Sequence, residues 1–476
     1  MRRKIKKGFL YGLSAVMLAA PLAGCASTDH DKTVKTVELL NYKPEAVDVF
    51  EEIERRFNET HDDIKLEVSS PNQAMTILKT RLVREDYPEI VGIGGDINYS
   101  NFLDAGLFED ISDVEALQEI KQAYLDMDKT LELVPQEGIY AMPFAANAAG
   151  ILYNKEMFEE HGWKVPHNWD EFISLCKEIE KAGIQPLYAG YKDTWTTLAP
   201  WNALAVCVAD EDAIARVNSG ESTFEEEYSR VADRIKEMMP YIEDNPVAYG
   251  YNDAASAFAR GQSAMWAIGS YAIPQIRSVN PEMEIGSFVM PAGDDESENN
   301  LNSGIDIQFS ILKGSENKEE AREVLEFLNS DEIINLYLDA QGGIAAKEGD
   351  FPIPEELSDM KEYIDSGRMK DFPDHKYPSE MSVDALIQTY LINDSDTAKE
   401  EFLKKFDSDW QRYNRDTIRR IQEYEAKEIR DDRTGERLGF DYGEARENNA
   451  LYILDPSLAV CGKAEGLAEG EIIRSV

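Results

Sequence analysis

Tyr140-Ala141-Met142-Pro143-Phe144-Ala145-Ala146-Asn147-Ala148-Ala149-Gly150-Ile151-Leu152-Tyr153-Asn154-Lys155 is the stretch on which the rest of the sequence turns. It carries no charge before Lys155, its residues are mostly small, and a proline stands near its start. Such a run suits an extended segment threading a protein interior better than a surface helix. Asn147 is the one polar side chain in its middle, and a buried amide must find partners, from the protein or from a ligand. The stretch is therefore expected to cross between two halves of the chain, with Asn147 facing whatever they enclose.

On either side of it the pattern alternates strand and helix. Residues 34–41, 64–69 and 89–93 read as strands. Residues 46–59 read as a helix with Val49, Phe50, Ile53 and Phe57 on one face, and 73–85 as a second helix. Further on, 155–162, the segment to 181 capped by Asn168 or Asp170, 195–208, 225–239 and 253–261 read as helices, and 183–188, 263–270 and 283–290 as strands. Residues 304–311 make another strand, 318–329 and 331–339 helices, 341–346 a second crossing, and 354–413 a helical region broken at 371–378. Alternation of this kind implies an α/β fold with a parallel or mixed sheet. Roughly 450 residues exceed one ordinary core, so at least two domains are expected. Gly92-Ile93-Gly94-Gly95 invites comparison with a dinucleotide fingerprint, but Ile97 stands where the third glycine is needed. The alternative is a strand-end loop with Asp96 at the carboxyl edge.

Residues 1–24 read as a processed leader: Arg2, Arg3, Lys4, Lys6 and Lys7, then a short apolar core over 9–20, then Leu22-Ala23-Gly24-Cys25. That core is short for a membrane span. Losing five basic and no acidic side chains with the leader takes the formal charge from -43 to -48. Such an excess of carboxylates argues against nucleic acid, whose phosphates need Lys and Arg. Cys25, Cys176, Cys207 and Cys461 show no C-x-x-C spacing, and the five histidines no H-E-x-x-H, so neither a zinc site nor a transition-metal enzyme is supported. No cofactor is expected. At most one disulfide can form among the cysteines after Cys25, and none is expected.

Leu22 to Cys25 resemble the lipobox of bacterial lipoproteins, with Cys25 as the lipidated residue, and residues 25–35 suit a tether to the cell membrane. Further blocks, in order, are 76–90, Met142-Pro143-Phe144 with Leu152-Tyr153-Asn154-Lys155, Phe258-Ala259-Arg260-Gly261-Gln262-Ser263-Ala264-Met265, and Ala321-Arg322-Glu323-Val324-Leu325-Glu326-Phe327-Leu328. Together they resemble extracellular solute-binding proteins that feed ABC importers, in the carbohydrate-binding branch. The loop from Phe372-Pro373-Asp374-His375 to Tyr377-Pro378 is similar to those of raffinose-type or isomaltose-type oligosaccharide binders. The resemblance implies a two-lobed α/β fold of the periplasmic-binding-protein kind, type II-like, that closes on a sugar. It also implies permease subunits as partners. A monomer is expected. The lobes are placed at 36–145 with 304–345 and at 146–303 with 346–414, leaving 415–476 as an extra tail without an assigned role.

A sugar offers hydroxyls that need donors and acceptors, and C–H faces that pack on aromatic rings. Asp96, Asn147, Asp306, Asp374 and His375 fall at strand ends or irregular segments, where ligand contacts in open α/β sheets concentrate. Lys43, just after the first strand, can donate, although a surface lysine is the default. Trp195, Trp201, Trp266 and Tyr271 are the aromatic candidates, each weighed against a plain core role. Trp163, Trp169 and Trp410 are assigned to packing. A glycoside hydrolase also uses paired carboxylates in a sugar cleft, but with 92 acidic residues a plausible pair carries almost no information. No G-x-S-x-G elbow or P-loop is present. A binder of peptides or metal chelates is the third class.

Overall fold

The computed structural model describes residues 34–428, with side chains to 424. The leader, Cys25, nearly all of the tether, Cys461 and residues 429–476 lie outside the described residues. The described strands form one mixed sheet. They are β1 (Lys35–Asn41), β2 (Ile64–Ser69), β3 (Ile90–Ile93), β4 (Met142–Asn154), β5 (Gln185–Leu187), β6 (Ser263–Gly269), β7 (Ile285–Phe288), β8 (Leu301–Ile311), β9 (Ile344–Ala345) and β10 (Met369–Lys370). The main order is β2-β1-β3-β8-β4-β6-β5, with β10 on β8 and both β7 and β9 on β4. β1 runs parallel to β2 and β3, and β5 parallel to β6, whereas β8 is antiparallel to β3 and β4.

β4 is the opening stretch, and it does cross the molecule. Its first part pairs with β8 and β9, from Met142↔Phe309 to Ala149↔Asn302, and its last part with β6 and β7. Alanine-rich sequence is a poor strand former by propensity, but with partners on both edges and both faces covered, small side chains are what fits. Pro143 falls beside register shifts between Pro143 and Ala146, where a missing N–H is tolerated. β8 is the second long crossing strand.

The helix Val47–Thr60 buries Val49, Phe50, Ile53 and Phe57 as its periodicity predicts, and Asn168 caps the helix Trp169–Lys181 by accepting from the Glu171 amide. Apolar cores sit at both ends of the sheet. One unites β1 and β3 with the helix Ile97–Asp104 through Leu40, Val91, Ile93, Phe102 and Leu103. Another gathers Trp201, Met265, Phe402, Phe406 and Trp410 beyond β5 and β6, and the largest runs through the middle. Trp169 and Trp410 are core, as expected. Cys176 and Cys207 are free and buried. Two readings need correction. The helix over 225–239 is two helices, Phe224–Glu227 and Ser229–Met238, interrupted at Tyr228. The region 354–413 also holds β10, whose two residues pair with Leu301 and Asn302 and carry no strand pattern of their own.

Candidate functional site

A cleft of about 340 Å³ opens beside the middle of β4, lined among others by Lys43, Asn147, Tyr251, Tyr271, Asp306 and Gln341. Asn147 pairs across the sheet with Gly304, and its main-chain oxygen accepts from Ser303 Oγ at 2.8 Å. Its side-chain Oδ1 is buried without a protein partner. An unsatisfied buried acceptor costs ~1–3 kcal/mol, which a ligand hydroxyl would recover.

Lys43 and Asp306 are not independent. The Lys43 ammonium is ion-paired with the Asp306 carboxylate, and Glu45 lies 3.6 Å from the same Nζ. Lys43 is buried rather than a surface lysine. Tyr42, half-buried between them, donates its hydroxyl to the Asp306 carbonyl. The pair is fixed in position and nearly neutral overall, able both to donate to and to accept from hydroxyls.

Three aromatic rings stand together on the side of β6. Trp195 is 41% exposed, its ring 5.1 Å from Tyr251 and 6.2 Å from Tyr271. The short turn that carries Trp195 is held to Tyr251 by Asp193, whose carboxylate accepts from the Tyr251 amide at 2.7 Å. Tyr271 folds back over Gly269: a Cβ there would stand 2.3 Å from the Tyr271 ring. Burial pushes the Tyr251 hydroxyl up to about 12 and Tyr271 higher still, so both stay neutral donors.

Trp201 and Trp266 are corrections. Both are completely buried. Trp201 donates to the Tyr377 hydroxyl at 3.3 Å inside the core beyond β6, and Trp266 lies behind Tyr251 at 5.6 Å. Each supports the site's surroundings and neither reaches the cleft. Tyr251 was missed by sequence reasoning; its signal was an aromatic at the very start of a helix that follows Gly250.

Asp374, His375 and Asp96 form an adjoining charged group. The segment 371–376 packs on Gly304, where a Cβ would stand 2.4 Å from Asp371 Oδ1 and 2.9 Å from His375 Cε1. Asn147 and this segment therefore meet across one strand pair. His375 Nδ1 lies 2.8 Å from Asp371 Oδ1, and its ring tilts against Phe372 at 5.0 Å. Burial opposes the imidazolium, but Asp371, with Asp374 and Asp96, raises its pKa to about 9. Asp374 is pushed up by burial and accepts from Asn202 Nδ2 at 2.7 Å. Asp96 caps the helix Ile97–Asp104, accepting from the Asn98 amide at 2.8 Å. A larger cavity of about 520 Å³ lies against the same segment, lined by Met127, Ala209, Asp371, Phe372 and Lys376, and holds none of the sequence-chosen residues. Among the described residues no cluster of His, Cys, Asp and Glu is arranged to hold a metal, and no helix is long and apolar enough to cross a membrane.

Residues 43–333 match the family model of the bacterial extracellular solute-binding proteins. The "Multiple sugar-binding protein" of Streptococcus mutans is 28% identical over 351 residues, covering 71% of this chain and 81% of that one. The melibiose/raffinose/stachyose-binding protein MelE of Bacillus subtilis is 23% identical over 310 residues, covering 61% and 70%. Among solved structures, RafE in complex with raffinose superposes with a TM-score of 0.67 at 29% identity, covering 78% of this chain and 98% of that one. The apo form of RafE from Streptococcus pneumoniae gives 0.69 at 28%, covering 79% and 97%. These neighbours share the two-lobed α/β architecture expected from the sequence. With a family model matched over more than half its length, the chain belongs to the bacterial extracellular solute-binding proteins.

Proposed function

We propose that the protein is the lipid-anchored binding component of an ABC importer and takes an oligosaccharide of the raffinose kind between its lobes. The observation that carries the reading is the composition of the cleft: Tyr251 and Tyr271, with the exposed Trp195 packed beside both, share it with the Lys43–Asp306 pair and the unpartnered Asn147 oxygen. Rings cover C–H faces, and the ion pair and amide meet hydroxyls. Sugar-binding relatives support the ligand class. The lobes are taken as 36–145 with 304–345 and 146–303 with 346–414, and closure follows from the ligand's differential affinity for the closed state. Cys25 would hold the body at the outer face of the membrane, where a permease reads the closed form. No catalytic role is assigned, because the relatives are binders and the cleft carboxylates are already paired or capping.

The test is calorimetry of the soluble body against melibiose, raffinose, stachyose and glucose. Saturable binding with the sugar recovered intact supports the reading. Release of reducing ends with turnover would favour a glycoside hydrolase instead.

A further inference from the structure

The helix Arg415–Glu428 follows the last helix of the core, and one of its side chains pairs with a helix that packs on β1 and β3. Its base belongs with the β5 and β6 end of the sheet. Asn414 is buried, Ile418 joins the apolar cluster of Phe402, Phe406 and Trp410, and Gln422 donates to the Asn218 carbonyl. Arg420 points elsewhere. Its guanidinium forms a two-pronged ion pair with Asp104, with Nη1 donating to Oδ2 at 2.8 Å and Nη2 to Oδ1. Asp104 ends the helix Ile97–Asp104, whose Phe102 and Leu103 pack with β1 and β3. A carboxylate at a helix C-terminus is poorly placed against the helix dipole, so it gains from an arginine brought to it.

We propose that this helix is a clasp between the lobes, closed by Arg420 and Asp104 and holding the lobe arrangement of this structure. The surroundings favour such a role. The cavity of about 520 Å³ lies between residues of both ends, among them Met127 on one side and Ala209 and Asn218 on the other. Asn218 is also the residue that receives Gln422. The helix therefore borders this cavity, and an ion pair beside an open gap has leverage that the same pair over packed surface would lack. The two side chains are 40% and 21% exposed, so the pair is of the modest, salt-screened kind that can release reversibly. The clasp rests on the lobe division taken above but not on the identity of the ligand.

The test is single-molecule energy transfer in the ligand-free full-length protein, between dyes on non-natural side chains at Glu51 and Glu401, both exposed, one in each of the two lobes as taken above. Arg420→Ala and Asp104→Ala should each broaden the distance distribution and reduce the population at the wild-type separation about two- to fivefold. High salt should broaden wild type in the same way. Arg420→Asp combined with Asp104→Arg should restore the narrow distribution. An unchanged distribution in Arg420→Ala, or a charge-swapped protein as broad as the single variants, would overturn the clasp. Because no sugar is added, either result leaves the proposed ligand untouched.

Discussion

Asn147 places an amide in a strand whose neighbours are mostly alanine, and its side-chain oxygen has no protein donor. Removing an unsatisfied amide does not break a protein hydrogen bond. Asn147→Ala should therefore weaken sugar binding about 5- to 10-fold while leaving Tm almost unchanged, as read by calorimetry and a melting curve. The tryptophans should divide the opposite way. Trp195→Ala should cost about tenfold in affinity with little change in Tm, whereas Trp266→Ala should destabilise the fold by ~3–5 kcal/mol. Equal Tm losses in both would contradict the placement of Trp195 as an exposed ring beside the cleft tyrosines. His375 gives a pH test. Its folded pKa, about 9, is above the usual 6.5. Its contribution is fully present below 6.5 and is lost as pH rises toward and through 9. Wild type should lose Tm across that window, and His375→Gln should lose less. Glu243, raised by burial to about 7, acts between its ordinary 4.5 and 7, mostly below the same window. The residue types that meet a sugar were legible in the sequence, but their pairing was not. Lys43 and Asp306 are 263 residues apart, and only the β1, β3 and β8 order brings them together. Likewise Trp195 and Trp201 are six positions apart on a continuous helical reading, and periodicity alone does not say which one ends in the core.

Among the elements, β4 was the most legible, because a long uncharged run of small residues has few other uses. Its role depends on β8, whose Gly304 is both the partner of Asn147 and the seat of the segment 371–376. Gly304→Val should push Asp371 and His375 off the strand. The expected result is a loss of more than about tenfold in sugar affinity together with a lower Tm, since the clash is with a buried ion pair. Sugar affinity retained at the wild-type level would mean that 371–376 lies outside the binding surface. β10 was illegible because two residues have no periodicity to read. The break at Tyr228 was hidden by amphipathic spacing that continues across it.

At the scale of the molecule, the alternation of strands and helices was enough for the α/β class, and the order of matching blocks for the two-lobed family. The shape of the cleft was not legible, because it depends on how β4, β8, the Tyr251–Tyr271 side and the turn at Gln341 are packed together. In such a molecule a ligand held between lobes stabilises the folded state by mass action. The central claim is that the site bounded by Trp195 and Asn147 binds an oligosaccharide without cleaving it. The measurement that tests it most directly is calorimetric titration of the soluble body with raffinose, with the recovered sugar analysed afterwards, in wild type and in Trp195→Ala with Asn147→Ala. The account predicts one-to-one binding in wild type, at least about 50-fold weaker binding in the double variant at unchanged Tm, and intact raffinose. Equal affinity in the two proteins, or hydrolysed sugar, would contradict it.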